Sequence, residues 1–193
     1  VPQAVDEYVR KHNLYTQYRA MADKLRPYLT EKRFMHTFHV VKRGLELCTA
    51  EEYDKVFVTC LLHDCAKYMS PDRYADYGFV RPCDMPDSVV HAFLGALVAE
   101  KDFGVTDNEI LNAIRYHCTA RPNMTRLDKI VYVADKTEET RPYPLSHLLC
   151  GTLDEMFVKC LFEANRYCLT NHAGNVYYLT SQALDFYKNQ ANA

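Results

Sequence analysis

Apolar residues recur at intervals of three and four through most of this chain, and this spacing constrains the fold more than any other feature. In residues 31–48, for example, Phe34, Phe38, Val41 and Leu45 fall on one face of a helix. The alternating pattern typical of strands hardly occurs, and only 6 of the 193 residues are Gly, which disfavours a fold with many tight β-turns. The sequence therefore predicts an all-α fold, a single-domain helical bundle.

Capping residues divide the periodic segments into successive helices. Thr30 and Thr125 each precede such a segment. The stretches 106–109 and 152–155 each place Thr three residues before Glu, which is the capping-box pattern that opens a helix. A further helix is expected over residues 54–67.

The charge balance and the Gly content exclude several classes of protein. Lys and Arg number 23 against 25 Asp and Glu, a net charge of −2, so a generally basic nucleic-acid-binding surface is excluded. The six Gly residues form no phosphate loop of the dinucleotide-binding or Walker type. The longest apolar run, residues 92–99, is far shorter than the roughly 20 residues that span a membrane, so no membrane partner is expected.

The eight Cys residues indicate a reducing compartment. They include no C-x-x-C pair, and several lie within apolar segments, where a thiol behaves as a small core side chain. The chain starts without the basic and apolar regions of a secretory leader. These features predict a cytoplasmic protein.

The placement of His and Asp points to chemistry. His63 and Asp64 are adjacent in an apolar segment, and burying an imidazole beside a carboxylate is costly unless a positive charge compensates. The other members of the set lie on separate predicted helices: His36, His91, His117 and Asp135. Helical bundles build interior metal sites from side chains on successive helices. Each residue alone fits an ordinary structural role, but the six together predict a metal centre.

Five short stretches carry a resemblance to a known family. They are RFMHT at 33–37, LLHDCAK at 61–67, AIRYH at 113–117, VYVADK at 131–136 and RPYP at 141–144. As a set they resemble the HD-domain superfamily of metal-dependent phosphohydrolases and, within it, the YqeK-type symmetrical diadenosine tetraphosphate hydrolases. The resemblance implies an HD-type domain over residues 18–193, preceded by an N-terminal extension at residues 1–17.

The resemblance also implies two divalent metal ions. One ion would be bound by His36, His63, Asp64 and Asp135. The second would be bound by His91 and His117, with Asp64 bridging both. The family points to iron, whereas four imidazoles and two carboxylates by themselves leave manganese and zinc open. One position departs from the family, because Cys118 stands where relatives usually carry Thr.

Nearby cations are candidates for phosphate binding. Lys67 follows Asp64 by three residues, so both would lie on one side of a helix. Lys67 is expected to bind a phosphate or to protonate the departing one, and with Asp64 it forms the expected catalytic pair. Arg33, Arg121 and Arg141 are candidates for substrate binding, although each also fits a solvated surface.

The ligand set and the resemblance predict a hydrolase. Two divalent ions would activate a hydroxide that attacks a phosphorus of diadenosine tetraphosphate, a dinucleoside polyphosphate, and releases two ADP. Two alternatives remain open: an HD-domain nucleotidase or phosphodiesterase for another nucleotide, and a non-catalytic HD regulatory module. The sequence leaves the oligomeric state open, with a homodimer among the alternatives.

Overall fold

The computed structural model describes residues 17–171 and 176–191, and no strand occurs among them. These residues form eight α-helices: α1 (Gln17–Leu25), α2 (Glu31–Leu47), α3 (Tyr53–Leu62), α4 (Asp87–Phe103), α5 (Asn108–Tyr116), α6 (Arg126–Thr137), α7 (Leu153–Asn171) and α8 (Tyr178–Ala191). Short 3₁₀ helices lie in the connections at Arg26–Tyr28, Ala50–Glu52 and Pro71–Tyr77. The all-α prediction is confirmed. Apart from Gln17, the predicted N-terminal extension lies outside the described residues.

None of the described helices combines the length and the apolar character needed to cross a lipid bilayer.

Helix α6 lies at the centre of the bundle and contacts α2, α3, α5 and α7. Its residues 130–134 are all apolar and fully buried, so this stretch has no polar face to turn to solvent and must be surrounded by other helices. Ile130 and Val131 belong to one core cluster, and Tyr132 and Val133 belong to a second cluster with residues of α7 and α8. Asp135, which follows this buried stretch on α6, therefore also lies inside the bundle.

The predicted helix starts are largely confirmed. The side chains of Thr30 and Thr125 accept hydrogen bonds from the backbone three residues further on, and Thr152 forms a reciprocal capping box. The predicted box at 106–109 is wrong, because Asp107 rather than Thr106 caps α5.

Helix α3 ends at Leu62 and does not continue to Lys67 as predicted. Residues 63–68 form successive turns, in which the N–H of Lys67 donates to the carbonyl of Asp64 at 2.9 Å. Because such a turn also brings residues three apart to the same side, Lys67 Nζ lies 3.8 Å from Asp64 Oδ1. The expected proximity of these two side chains is therefore confirmed, although the helix is not.

Gly44 sets the distance between α2 and α3. A Cβ at this position would lie 2.7 Å from Cys60 Sγ and 2.9 Å from Val56 Cγ1, and both residues are fully buried. We expect Gly44→Ala to lower the free energy of unfolding by about 1–2 kcal/mol, because overpacking outweighs the gain in helix propensity. Urea and thermal unfolding measure this change.

Gly95→Ala is the matched control for this prediction. A Cβ at Gly95 would meet its nearest neighbours at ordinary contact distances of 3.4 Å and 3.7 Å, so this variant should be at least as stable as the original protein. Equal stability of the Gly44→Ala and Gly95→Ala proteins would contradict the prediction.

Candidate metal centre

The six side chains predicted as ligands meet in one place. They are His36 on α2, His63 and Asp64 directly after α3, His91 on α4, His117 directly after α5, and Asp135 on α6. Each is at most 9% exposed, so the cluster lies inside the bundle. Three helices and the turns that follow two others therefore supply one set of polar side chains.

Asp64 lies in the middle of the cluster. Its Oδ1 lies 3.0 Å from His91 Nε2 and 3.7 Å from His117 Nε2, and its Oδ2 lies 3.4 Å from His63 Nε2. Burial acts to raise the pKa of this carboxyl, but the surrounding imidazoles outweigh burial and hold its pKa well below the usual range. One ionised carboxylate therefore faces three imidazoles.

Asp135 forms the other end of the cluster. Its Oδ1 lies 3.3 Å from His36 Nε2 and 3.8 Å from His63 Nε2. Lys136 and Arg141 also contact this carboxylate, at 3.1 Å and 2.6 Å. Burial acts to raise the pKa of Asp135, but Lys136, His36 and Arg141 outweigh it and keep the pKa well below the usual range. Asp135 is therefore also an ionised ligand candidate.

Backbone carbonyls orient two of the imidazoles. His63 Nδ1 donates to the carbonyl of Cys60, and His117 Nδ1 donates to the carbonyl of Ile114, each at 2.7 Å. Because a carbonyl oxygen only accepts, Nδ1 carries a proton in both residues, and in the neutral form of each ring Nε2 presents its lone pair to the cluster. Burial lowers the pKa of His63, which favours the neutral form that binds a metal.

Three buried atoms of the cluster have no hydrogen-bond partner: His36 Nε2, His63 Nε2 and Asp64 Oδ1. Leaving a buried polar atom unpaired costs about 1–3 kcal/mol, and a cation bound among these atoms would satisfy all three. The donor atoms form three overlapping groups, each with its atoms within 4.8 Å of one another: His36, His63 and Asp135; His63, Asp64 and His117; and His91, His117 and Cys118. The residues present therefore fit a divalent metal centre.

Glu138 contacts the cluster, and sequence reasoning did not single it out. It is 1% exposed, and its Oε1 accepts from His36 Nδ1 at 3.2 Å, so His36 Nε2 faces Asp135. Burial acts to raise the pKa of Glu138, but hydrogen bonds from His36 and Thr140 lower it to about 2. Its position three residues after Asp135 is the signal that could have identified it, since residues three apart lie on one helix face.

We expect Glu138→Gln to weaken metal binding by about 10–100-fold, the usual effect of losing the group that orients a ligand. The physical reason is that an amide no longer offers His36 an ionised acceptor. Competition with a chromophoric chelator measures the affinity. The control is Glu139→Gln, at the exposed neighbour that pairs with His39 and Lys42, and an equal loss in both variants would contradict this role.

Two of the predicted phosphate-binding cations contact the part of the cluster around Asp64. Arg33 Nη1 lies 2.9 Å from Asp64 Oδ2, and Lys67 Nζ lies 3.1 Å from His91 Nε2. Both side chains are more than a quarter exposed, whereas Asp64 is buried. Arg33 and Lys67 therefore lie between the cluster and solvent.

The other two predicted cations are held by acidic partners. Arg141 Nε donates to the backbone carbonyl of Asp135 at 2.7 Å, in addition to its contact with the carboxylate. Arg121 donates to the buried carboxylate of Asp128 at 2.8 Å, and its guanidinium lies 5.0 Å from the centre of the Tyr116 ring. A substrate-binding role for Arg141 and Arg121 stays a prediction.

The fold and the site define a class: an all-α bundle whose interior gathers His and Asp from several helices into groups able to hold divalent metal. Residues 33–140 of the sequence match the HD domain family. The chain belongs to the HD domain family.

Its relatives agree with this assignment. A Bacillus subtilis protein named "Bis(5'-nucleosyl)-tetraphosphatase, symmetrical" is 35% identical over 125 residues, which cover 60% of this chain and 66% of the relative. A Halalkalibacterium halodurans protein of the same name is 31% identical over 135 residues, which cover 62% and 68%. The chain thus spans about two thirds of the length of these relatives. The resemblance found in the motifs is confirmed.

One solved structure is similar over nearly the whole chain. It is a predicted HD superfamily hydrolase involved in NAD metabolism from Clostridium acetobutylicum, 25% identical, with a TM-score of 0.81. The match covers 90% of this chain and 97% of that one.

Proposed function

We propose that this chain hydrolyses diadenosine tetraphosphate symmetrically. One water is added, the central phosphoanhydride bond breaks, and two molecules of ADP are released. The observation that carries the proposal is the buried carboxylate of Asp64, which faces three imidazoles on one side while Arg33 and Lys67 reach it from the solvent side. The names of the two curated relatives support the choice of substrate.

The proposal includes two divalent ions, with iron as the favoured metal and manganese and zinc as alternatives. His36, His63, Asp64 and Asp135 would hold one ion, and His91, His117 and Asp64 the other. When bound, such ions supply an acidified water and neutralise phosphoryl oxygens. The buried Nε2 atoms of His36 and His63, which have no hydrogen-bond partner, support this assignment.

The chain's own cations position the substrate in this proposal. Lys67 carries three N–H donors and would hydrogen-bond an oxygen of the departing ADP, where negative charge develops as the bond breaks. Arg33 carries five N–H donors in a planar fork, more than its contact with Asp64 uses, and would hold a neighbouring phosphate. Both cations are positioned by their contacts with the Asp64 carboxylate.

A cleft of ≈ 360 Å³ beside the turn 63–68 supports a nucleoside substrate. Its lining includes Tyr28, Tyr68 and Arg73, and the side chain of Tyr68 is half exposed. Aromatic rings stack on purine bases, and the turn that contributes Tyr68 also carries Asp64. A nucleoside bound in this cleft would lie beside the turn that carries Asp64 and Lys67.

Product analysis tests the proposal. The metal-loaded protein is incubated with diadenosine tetraphosphate, and the nucleotides are separated by ion-exchange chromatography at early times. ADP as the sole initial product is expected. Equal amounts of ATP and AMP would overturn symmetric cleavage.

A parallel panel of nucleoside monophosphates, deoxynucleotides and cyclic dinucleotides tests the substrate class. Turnover of one of these without turnover of diadenosine tetraphosphate would overturn the proposal in favour of another HD-domain activity. No turnover of any compound by protein with a full metal content would favour a non-catalytic module.

A further inference from the structure

The thiol of Cys118 reaches into the cluster beside two of the expected ligands. Its Sγ lies 3.2 Å from His117 Nε2 and 3.3 Å from His91 Nε2. These three donor atoms form one of the three groups compact enough to hold a metal ion, and Cys118 is the only Cys in those groups within the described ranges. The half of the cluster around His91 therefore contains a sulfur atom.

The neighbouring atoms point to a ligand and not only to a hydrogen-bonded thiol. His117 Nδ1 donates to a backbone carbonyl, so Nε2 is the nitrogen that faces Cys118 and that carries the lone pair in the neutral, metal-binding form of His117. Asp64 Oδ1 lies 3.0 Å from His91 Nε2, and it is buried without a hydrogen-bond partner. Lys67 Nζ, 3.1 Å from His91 Nε2, can donate to that nitrogen. One thiol proton, however, cannot satisfy both His117 Nε2 and Asp64 Oδ1, whereas one cation can bind both.

We propose that Cys118 is a direct ligand, as a thiolate, of the metal ion held by His91, His117 and Asp64. This inference rests on the proposed metal centre and adds a sulfur donor to it. The thiol proton passes to solvent when the ion binds, and no oxidation or reduction occurs.

The distances of Cys118 Sγ and Asp64 Oδ1 from the two imidazole nitrogens fit a tetrahedral ion. Ligand atoms at about 2.0–2.3 Å from such an ion lie roughly 3.3–3.6 Å from one another. Cys118 Sγ lies 3.2 Å from His117 Nε2 and 3.3 Å from His91 Nε2, and Asp64 Oδ1 lies 3.7 Å and 3.0 Å from the same two nitrogens. A thiolate among imidazole and carboxylate favours zinc or ferrous iron over manganese and magnesium, which prefer oxygen donors.

Cobalt(II) substitution tests the proposal directly. The full chain is stripped of metal under reducing, anaerobic conditions and titrated with Co(II), and absorption is recorded from the near ultraviolet to the visible. A Co(II)–thiolate bond gives an intense near-ultraviolet charge-transfer band, whereas imidazole and carboxylate ligands give only the weak visible bands. We expect the charge-transfer band in the original protein and its loss in Cys118→Ser.

Cys65→Ser is the matched control. Cys65 follows Asp64 directly, but its thiol lies 3.4 Å from the carbonyl of Gly95 on α4 and belongs to none of the candidate metal groups. The Cys65→Ser protein should keep the charge-transfer band. Circular dichroism and thermal unfolding establish that both variants are folded.

The outcomes separate this inference from the proposed metal centre. Visible Co(II) bands without a charge-transfer band in the original protein, or a band that survives in Cys118→Ser, would overturn the thiolate ligand and leave the metal centre standing. A protein that binds no Co(II) would overturn both. Competition gives a second readout: preference for zinc over manganese should fall by roughly 10-fold or more in Cys118→Ser and be unchanged in Cys65→Ser.

Discussion

Replacing Asp64 by Asn is expected to lower kcat for diadenosine tetraphosphate by about 10³-fold or more, equivalent to about 4 kcal/mol of lost transition-state stabilisation. The carboxylate contacts three imidazoles and two cations, and an amide of the same shape carries no charge and cannot bridge two positive groups. Initial rates and metal content per chain are measured on the same preparation, and both should fall.

Asp185→Asn is the control for Asp64→Asn, because Asp185 is an exposed Asp on α8. It should retain the original rate and metal content. Circular dichroism must show that Asp64→Asn is folded. A folded Asp64→Asn protein that keeps more than a tenth of the original rate would show that the reaction does not depend on this carboxylate.

Removing the metal is expected to have a second large effect, on both hydrolysis and thermal stability. The chelated protein is expected to lose hydrolysis and to recover it on addition of divalent iron, manganese or zinc. A ligand that binds only the folded state at 100 times its Kd stabilises that state by about 2.7 kcal/mol. For a chain of this size, that corresponds to a rise in Tm of roughly 5–10 °C. Differential scanning calorimetry with and without metal measures this rise.

Two His residues one turn apart on α2 provide a matched test of metal binding. His36 Nε2 lies buried and unpaired beside Asp135, whereas His39 Nδ1 pairs with the exposed Glu139 at 2.9 Å. His36→Gln should lose most of the rise in Tm on metal addition, and His39→Gln should keep it. An equal rise in Tm on metal addition in the two variants would show that the metal does not bind at His36.

Short-range signals predicted the helices well, because a cap is a contact between residues close in the sequence. Thr30, Thr125 and Thr152 cap as expected. The prediction failed at 106–109, where Thr106 and Asp107 both have capping side chains and the pattern alone does not choose between them. The predicted extension of α3 failed because a helical pattern does not distinguish a helix from a run of tight turns.

The candidate ligands were found from the sequence because ionisable residues in apolar segments need a compensating partner inside the protein. This reasoning identified His36, His63, His91 and His117 with their two carboxylates, and the fold brings all of them together. The same reasoning assigned no partner to Arg121, which the fold pairs with Asp128.

The sequence by itself determined that this chain is helical and which buried ionisable side chains need a partner of opposite charge or a metal ion. Both properties depend on residue type and on spacing within single segments. Only the tertiary structure decided which atoms meet. Glu138 contacts His36 across 102 positions of the sequence, and Cys118 Sγ, in the turn after α5, lies 3.3 Å from His91 Nε2 of α4. Such contacts depend on how distant segments pack against one another, and the periodicity of residues within one helix does not predict that packing.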